Sequence, residues 1–92
     1  MRLIVERTED HTSRIRSIWL TGDDLPGFAP GAHLEFDCGA AGQRAYSLVS
    51  WTGVEDAPTT YQIAVQREDK GDGGSRFMHE LAPGDAIEAS AP

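Results

Sequence analysis

Hydrophobic and polar residues alternate along several short segments of the chain. The alternation is clean in His33–Asp37 and in Tyr61–Gln66. Every second residue there, beginning with Leu34 and with Tyr61, is therefore expected to face a core from a β-strand. Four further apolar or β-branched runs predict strands at 3–5, 14–20, 44–50 and 86–90. Six strands with little helix between them indicate an antiparallel barrel or sandwich.

Turn signals separate these strands. Pro-Gly pairs stand at 26–27, 30–31 and 83–84. Proline presets φ at the first central turn position and glycine permits a positive φ at the second, so each pair predicts a type II turn. The single helix prediction is Ser75–Leu81, which is barely two turns long.

The composition is that of one small, acidic, loop-rich domain. The chain has 92 residues, a hydrophobic share of 39% and a formal net charge of −7. The negative charge argues against nucleic acid or an anionic membrane as a partner, and no apolar run is long enough to span a bilayer. The single cysteine, Cys38, excludes an internal disulfide and gives no metal-binding spacing. A cytoplasmic location is therefore expected.

The first candidate motif is Arg-Ala-Tyr-Ser-Leu at residues 44–48. An arginine can bind a phosphate bidentately, and a tyrosine offers a flat face for stacking on a heteroaromatic ring. Because side chains alternate along a strand, Arg44 and Tyr46 should point one way and Ser47 the other, unless the strand bends. A purely structural interpretation is also open, with Tyr46 in the core and Arg44 on the surface.

The second candidate motif is the glycine-rich segment that leads into the predicted helix. Gly73 and Gly74 allow close approach of backbone amides to a ligand, and Ser75 stands where a helix N-cap is expected. Free N–H groups at such a point can bind an anion. The segment is neither a Walker A loop nor a dinucleotide fingerprint. The alternative interpretation is a hairpin loop with a helix cap and a solvated Arg76.

The order of these segments resembles a known family. Residues 44–48, 61–68 and 73–75 are followed by Pro83-Gly84-Asp85 and a closing strand. This order is similar to the flavin-binding barrel of ferredoxin–NADP reductase-like proteins, and most similar to the branch of phthalate dioxygenase reductase and vanillate demethylase reductase. The resemblance covers nearly the whole chain. It implies a six-stranded antiparallel Greek-key barrel with one short helix.

The resemblance assigns roles to the first motif. It implies that Arg44 binds the flavin phosphate and that Tyr46 packs on the isoalloxazine ring. It implies that Ser47 approaches flavin N5, the atom that accepts hydride, which makes Ser47 the catalytic candidate. Val49 departs from the family pattern, because relatives often carry Cys or Asn at this position.

The resemblance also assigns roles to two backbone segments. The backbone near Ala64 and Val65 is expected to bind the pyrimidine edge of the ring. Gly74 and Ser75 are expected to hold the phosphate. His79 matches a frequent position in this branch, and we interpret it as a surface histidine at the end of the helix.

The reductases of this family continue into a nicotinamide-binding domain, and this branch adds a two-iron ferredoxin domain. Residues 1–92 contain neither, and one cysteine cannot ligate an iron–sulfur cluster. The resemblance therefore implies an FMN module, with FAD as the alternative, of an NAD(P)H-dependent reductase that serves an aromatic oxygenase or demethylase. NAD(P)H and the 2Fe-2S domain are expected only in a longer parent or a partner, and the chain alone is not expected to be an active enzyme. The rival interpretations are a non-enzymatic acidic barrel that binds a partner protein and a riboflavin-synthase-like barrel.

Overall fold

The computed structural model describes residues 1–50, 58–68 and 73–92. Within them the chain forms six strands, one 3₁₀ turn at Gly39–Ala41 and one short α-helix. The strands are β1 Arg2–Asp10, β2 Ile15–Thr21, β3 His33–Asp37, β4 Gln43–Ser47, β5 Tyr61–Gln66 and β6 Ala86–Glu88, and the helix α1 is Gly74–His79. The alternating pattern predicted β3 and β5 at the bounds observed, while the remaining elements begin or end a few residues from the prediction.

The core is built from alternate residues of the strands, as the pattern predicted. Leu34 and Phe36 of β3 are fully buried, and so are Tyr61, Ile63 and Val65 of β5. Leu3, Val5, Ile18 and Leu20 contribute from β1 and β2, and Met78 contributes from α1. Polar residues between these positions face outwards, which is what a sheet with one covered face requires.

The strands form two antiparallel sheets within the described residues. One sheet has the order β5-β2-β1-β6, and the other pairs β3 with β4. The prediction of antiparallel strands with one short helix is confirmed, but the prediction of a closed six-stranded barrel is wrong, because the larger sheet is a half-barrel. Among the described residues, isolated bridges link the two sheets at Phe36 with Ala89 and at Leu48 with Ile63. The N–H groups of Ser90 and Val49 donate across the same seams to the carbonyls of Glu35 and Gln62.

The seam between β3 and β6 is short. β6 has three residues, and the contacts with β3 are made just beyond it, by the Phe36–Ala89 bridge and by the N–H of Ser90, which donates to the Glu35 carbonyl. Helix α1 contacts β4 through Gly74, which lies against Arg44, and β5 through His79, which bonds to the Val65 carbonyl. The short helix therefore packs against a strand of each sheet.

Two of the three predicted type II turns are present. Gly31 and Gly84 have φ values of +88° and +95°, and each follows its proline within a turn closed by a backbone hydrogen bond. Gly27 has no positive φ. The chain forms no turn at 26–27, and the carbonyl of Pro26 accepts a hydrogen bond from the hydroxyl of buried Tyr61.

Helix α1 begins one residue earlier than predicted. Its N-cap is Gly73, with a φ of +99°, and Ser75 is the second residue of the helix. The prediction of Ser75 as the N-cap is wrong, because the left-handed conformation at the start of the helix requires glycine. None of the helices in the described part of the chain is long and apolar enough to cross a bilayer.

Candidate functional site

Strand β4 turns Arg44 and Tyr46 towards the inner face of the small sheet. Arg44 pairs with Phe36, and Tyr46 pairs with Leu34, and the β3 residues of both pairs are fully buried. Arg44 and Tyr46 are themselves half-buried, whereas Ser47 is exposed on the opposite face. The strand does alternate as predicted. It therefore brings Arg44 and Tyr46 together and leaves the hydroxyl of Ser47 on the other side, at the last residue of β4.

The side chain of Arg44 lies across the start of α1. A Cβ atom placed on Gly74 would come within 2.6 Å of Arg44 Cγ, 3.2 Å of its Cδ and 3.3 Å of its Nε. Real Cβ atoms essentially never approach other atoms as closely as the first of these distances. Gly74 is therefore required for the aliphatic part of Arg44 to rest on the helix. Residues 44 and 74, thirty positions apart in sequence, form one surface.

Tyr46 presents its ring beside this surface. The ring packs against the core next to Phe36, with the two centroids 6.1 Å apart and the planes inclined by 52°. This geometry anchors one part of the ring while the residue as a whole stays partly accessible. An anchored aromatic ring offers a flat surface for stacking at a low cost in side-chain entropy.

The hydroxyl of Ser75 is engaged with the chain beyond β5. Ser75 Oγ accepts a hydrogen bond from the backbone N–H of Glu68 at 2.8 Å. This bond joins the first turn of α1 to the segment that follows the strand. The structure thus gives Ser75 a structural contact in addition to the phosphate role expected of it.

Strand β5 contributes backbone to the same region. Ala64 is exposed, and the side chain of Val65 is fully buried, so any contact made by Val65 with a ligand must come from its main chain. The carbonyl of Val65 lies 2.9 Å from His79 Nε2. Because a carbonyl only accepts, the imidazole N–H of His79 donates this bond.

His79 is the residue that reasoning from the sequence missed. It lies at the end of the helix, as expected, but it is half-buried and bonded to β5, so its interpretation as a surface residue is wrong. The sequence does carry a signal: Ser75 and His79 are four residues apart, and such residues lie on one face of a helix. Both of them hold α1 against the end of β5.

The end of α1 is held from β2 as well. Arg16 donates to the carbonyl of Leu81 at 3.1 Å and to the carboxylate of Asp10 at 2.7 Å. The hydrogen bond from Arg16 lowers the pKa of Asp10 below its ordinary value. This ion pair therefore helps to position Arg16 for its hydrogen bond to the Leu81 carbonyl, which links the end of the helix to the larger sheet.

A cleft of about 340 Å³ opens next to Gly73, between the 3₁₀ turn and α1. Its lining includes Ala41, Arg76, Phe77 and the buried Cys38. The cleft adjoins the surface made by Arg44 and Gly74. A ligand held there would have room to extend towards Gly73.

Comparison with known proteins defines the class. No protein-family model matches the sequence. The chain is 40% identical over 70 residues to the heme-dependent oxidative N-demethylase beta subunit of Ectopseudomonas mendocina, covering 74% of this chain and 21% of that protein. It is 35% identical over 96 residues to phthalate dioxygenase reductase of Burkholderia cepacia, covering 100% of this chain and 29% of that protein.

The fold agrees with the sequence relationship. The solved structure of phthalate dioxygenase reductase, described as modular for electron transfer from pyridine nucleotides to [2Fe-2S], matches with a TM-score of 0.85 at 35% identity over 100% of this chain and 29% of that one. The fold is that of a β-domain found in such reductases. The chain belongs to the ferredoxin reductase-like family, on the branch of phthalate dioxygenase reductase. It spans less than a third of the length of these relatives.

Proposed function

We propose that residues 1–92 are the FMN-binding module of an NAD(P)H-dependent electron-transfer oxidoreductase, the reductase component of an aromatic oxygenase or demethylase system. The relatives support the reductase class, since they include an N-demethylase subunit and a dioxygenase reductase. The nicotinamide-binding and 2Fe-2S functions then reside in a longer parent chain or in a partner protein. A cytoplasmic location is part of the same proposal.

One observation carries the proposal: the side chain of Arg44 lies on a glycine at the start of a helix. A Cβ at position 74 would fill the space that Arg44 occupies. The arrangement brings a guanidinium and the backbone of Gly74 and Ser75 together, which fits a phosphate monoester. The dianionic phosphate of FMN is the group proposed to bind there.

The rest of the site fits a flat ring. Tyr46 lies two residues beyond Arg44 on the same face of β4 and offers a stacking surface. The backbone at Ala64 and Val65 is proposed to bind the polar pyrimidine edge. A bound flavin accepts hydride at N5 and releases electrons one at a time.

Ser47 is proposed to donate its hydroxyl hydrogen bond near N5. Its side chain points away from Tyr46, but it is the last residue of β4. The proposal therefore places the N5 side of the ring at the end of the strand, where the Ser47 hydroxyl is exposed. FMN is preferred to FAD because the branch that the chain resembles uses FMN.

The test compares two flavins that differ only in the phosphate. The chain is titrated with FMN and with riboflavin, and binding is followed by flavin fluorescence. Arg44→Ala should lose roughly 1.5–3 kcal/mol of FMN affinity, the range for a hydrogen bond to a charged group, which corresponds to about 10- to 150-fold. Riboflavin affinity should barely change.

The matched control is Arg7→Ala. Arg7 is an exposed arginine of β1 whose guanidinium carbon lies 3.6 Å from the centroid of the Trp19 ring and whose guanidinium pairs with Glu9 at 3.7 Å. It should leave both titrations unchanged. Equal losses for FMN and riboflavin in Arg44→Ala would remove Arg44 from the phosphate role. A wild-type chain that binds neither flavin would contradict the proposed function and favour a non-enzymatic domain that binds a partner protein.

A further inference from the structure

The proposed flavin site lies where two strands separate. Within the described residues, β4 and β5 are joined at the Leu48–Ile63 bridge, with Val49 N–H donating to the Gln62 carbonyl at 2.8 Å. Beyond this point β5 continues to Gln66, and its described strand pairs are with β2 on its other edge. The edge of β5 that faces away from β2 is therefore the one that other groups contact.

Helix α1 contacts both β4 and the segment of β5. Arg44 of β4 rests on Gly74 at its first turn. Two side chains of the helix bind the main chain of the β5 segment: Ser75 Oγ to the N–H of Glu68 at 2.8 Å, and His79 Nε2 to the carbonyl of Val65 at 2.9 Å. The helix has only six residues, so it depends on hydrogen bonds such as the two made to the β5 segment to hold its position.

We propose that His79 is a positioning residue for the flavin ring: through its bond to the Val65 carbonyl it fixes the β5 main chain that receives the pyrimidine edge. The inference rests on the proposed function. His79 does not touch the flavin in this proposal. It holds α1 and the Val65 carbonyl, on the edge of β5 away from β2, in one arrangement before the ligand arrives, so that binding does not require this edge to be ordered.

The bond itself, and not the volume of the imidazole, is the essential element. His79→Leu fills similar space and removes the N–H donor. His79→Gln retains an N–H donor near the position of Nε2. Because Val65 lies at the ring end of the site, loss of the bond should weaken FMN and riboflavin by the same factor, in contrast to Arg44→Ala.

The experiment titrates the 92-residue chain and its variants with FMN and with riboflavin, and records the visible circular dichroism of the bound flavin. His79→Leu should lower both affinities by about 3- to 10-fold, the range for one neutral hydrogen bond, and should change the dichroism of the bound ring. His79→Gln should restore both towards wild type. His11→Leu is the matched control, because His11 Nε2 also makes a hydrogen bond, 2.7 Å to Ser17 Oγ, and should leave both affinities unchanged.

The outcomes separate this inference from the function on which it rests. Flavin bound by wild type and His79→Leu with equal affinity would overturn the role of His79 and leave the proposed function standing. Equal losses in His79→Leu and His79→Gln would also overturn it, since packing alone would then explain the effect. If His79→Leu does not fold, as judged by its far-UV spectrum and melting curve, the flavin affinities of His79→Gln and His79→Asn are compared instead. The shorter amide of asparagine places its donor nearer to the position of Nδ1, so only His79→Gln should retain wild-type affinity. Equal affinity of those two would refute a bond at Nε2. A wild-type chain without affinity for either flavin would end both proposals.

Discussion

Replacing Gly74 with alanine tests the contact between β4 and α1 without any ligand. The added methyl group would lie 2.6 Å from Arg44 Cγ, which is near the root of that side chain and cannot move far without a change of rotamer. Overpacking of this kind costs about 1–3 kcal/mol. Alanine also gains up to roughly 1 kcal/mol over glycine in a helix. We therefore expect Gly74→Ala to destabilise the domain by about 0–2 kcal/mol, the difference of these two contributions.

The sign of the effect should reverse when Arg44 is shortened. In an Arg44→Ala background the obstructing atoms are gone, and Gly74→Ala should then stabilise the domain by up to roughly 1 kcal/mol, because only the helix propensity remains. The coupling energy of the double-mutant cycle should accordingly be about 1–3 kcal/mol. Such a coupling is expected only of residues that touch.

Urea unfolding of the four proteins, followed by circular dichroism, measures each free energy of unfolding. Gly31→Ala provides a control for the chemical change, because a Cβ at position 31 meets nothing within 4 Å, although its φ of +88° adds strain of its own. Its effect should be the same with Arg44 or Ala at position 44. Additive effects of Gly74→Ala and Arg44→Ala would refute the packing described here, and with it the geometry on which the phosphate site depends.

Three further predictions follow from individual residues. In a longer parent that contains the reductase machinery, Tyr46→Ala should lose flavin, while Ser47→Ala should keep flavin and slow its reduction. Stopped-flow reduction at wild-type speed in the flavin-loaded Ser47→Ala variant would remove the catalytic role proposed for Ser47. The pKa of Asp10 is below its ordinary value of 3.8 in the folded state, so the stability it confers is present above that value and is lost as the pH falls through the lowered pKa. Melting temperatures of Asp10→Asn and wild type should therefore converge in strong acid, and a gap that stays constant would contradict this. Tyr61→Phe should cost about 1 kcal/mol in urea unfolding through loss of its bond to Pro26. Burial raises the pKa of Tyr61 above 10.0 in the folded state, so ionisation of this phenol should reduce the stability of wild type, and not of the variant, as the pH rises above that value.

Local pattern alone determined much of the fold. The strict alternation in 33–37 and 61–66 predicted β3 and β5 because side chains on a strand point to opposite faces, and one face here is buried. The same rule predicted that Arg44 and Tyr46 share a face and that Ser47 does not. The Pro-Gly pairs at 30–31 and 83–84 predicted their turns because φ at both central positions is set by the residues themselves.

Tertiary contacts decided the remainder. Whether the two sheets close depends on which strand edges meet, and no short segment encodes that. The turn predicted at 26–27 is absent, and the Pro26 carbonyl there bonds to Tyr61, thirty-five residues away. The sequence did not predict the bond from His79 to the Val65 carbonyl. Every residue carries a main-chain carbonyl, so the sequence alone does not mark which one His79 will meet. Periodicity reports which side of an element is buried, whereas only the assembled fold brings particular donors and acceptors within reach of one another.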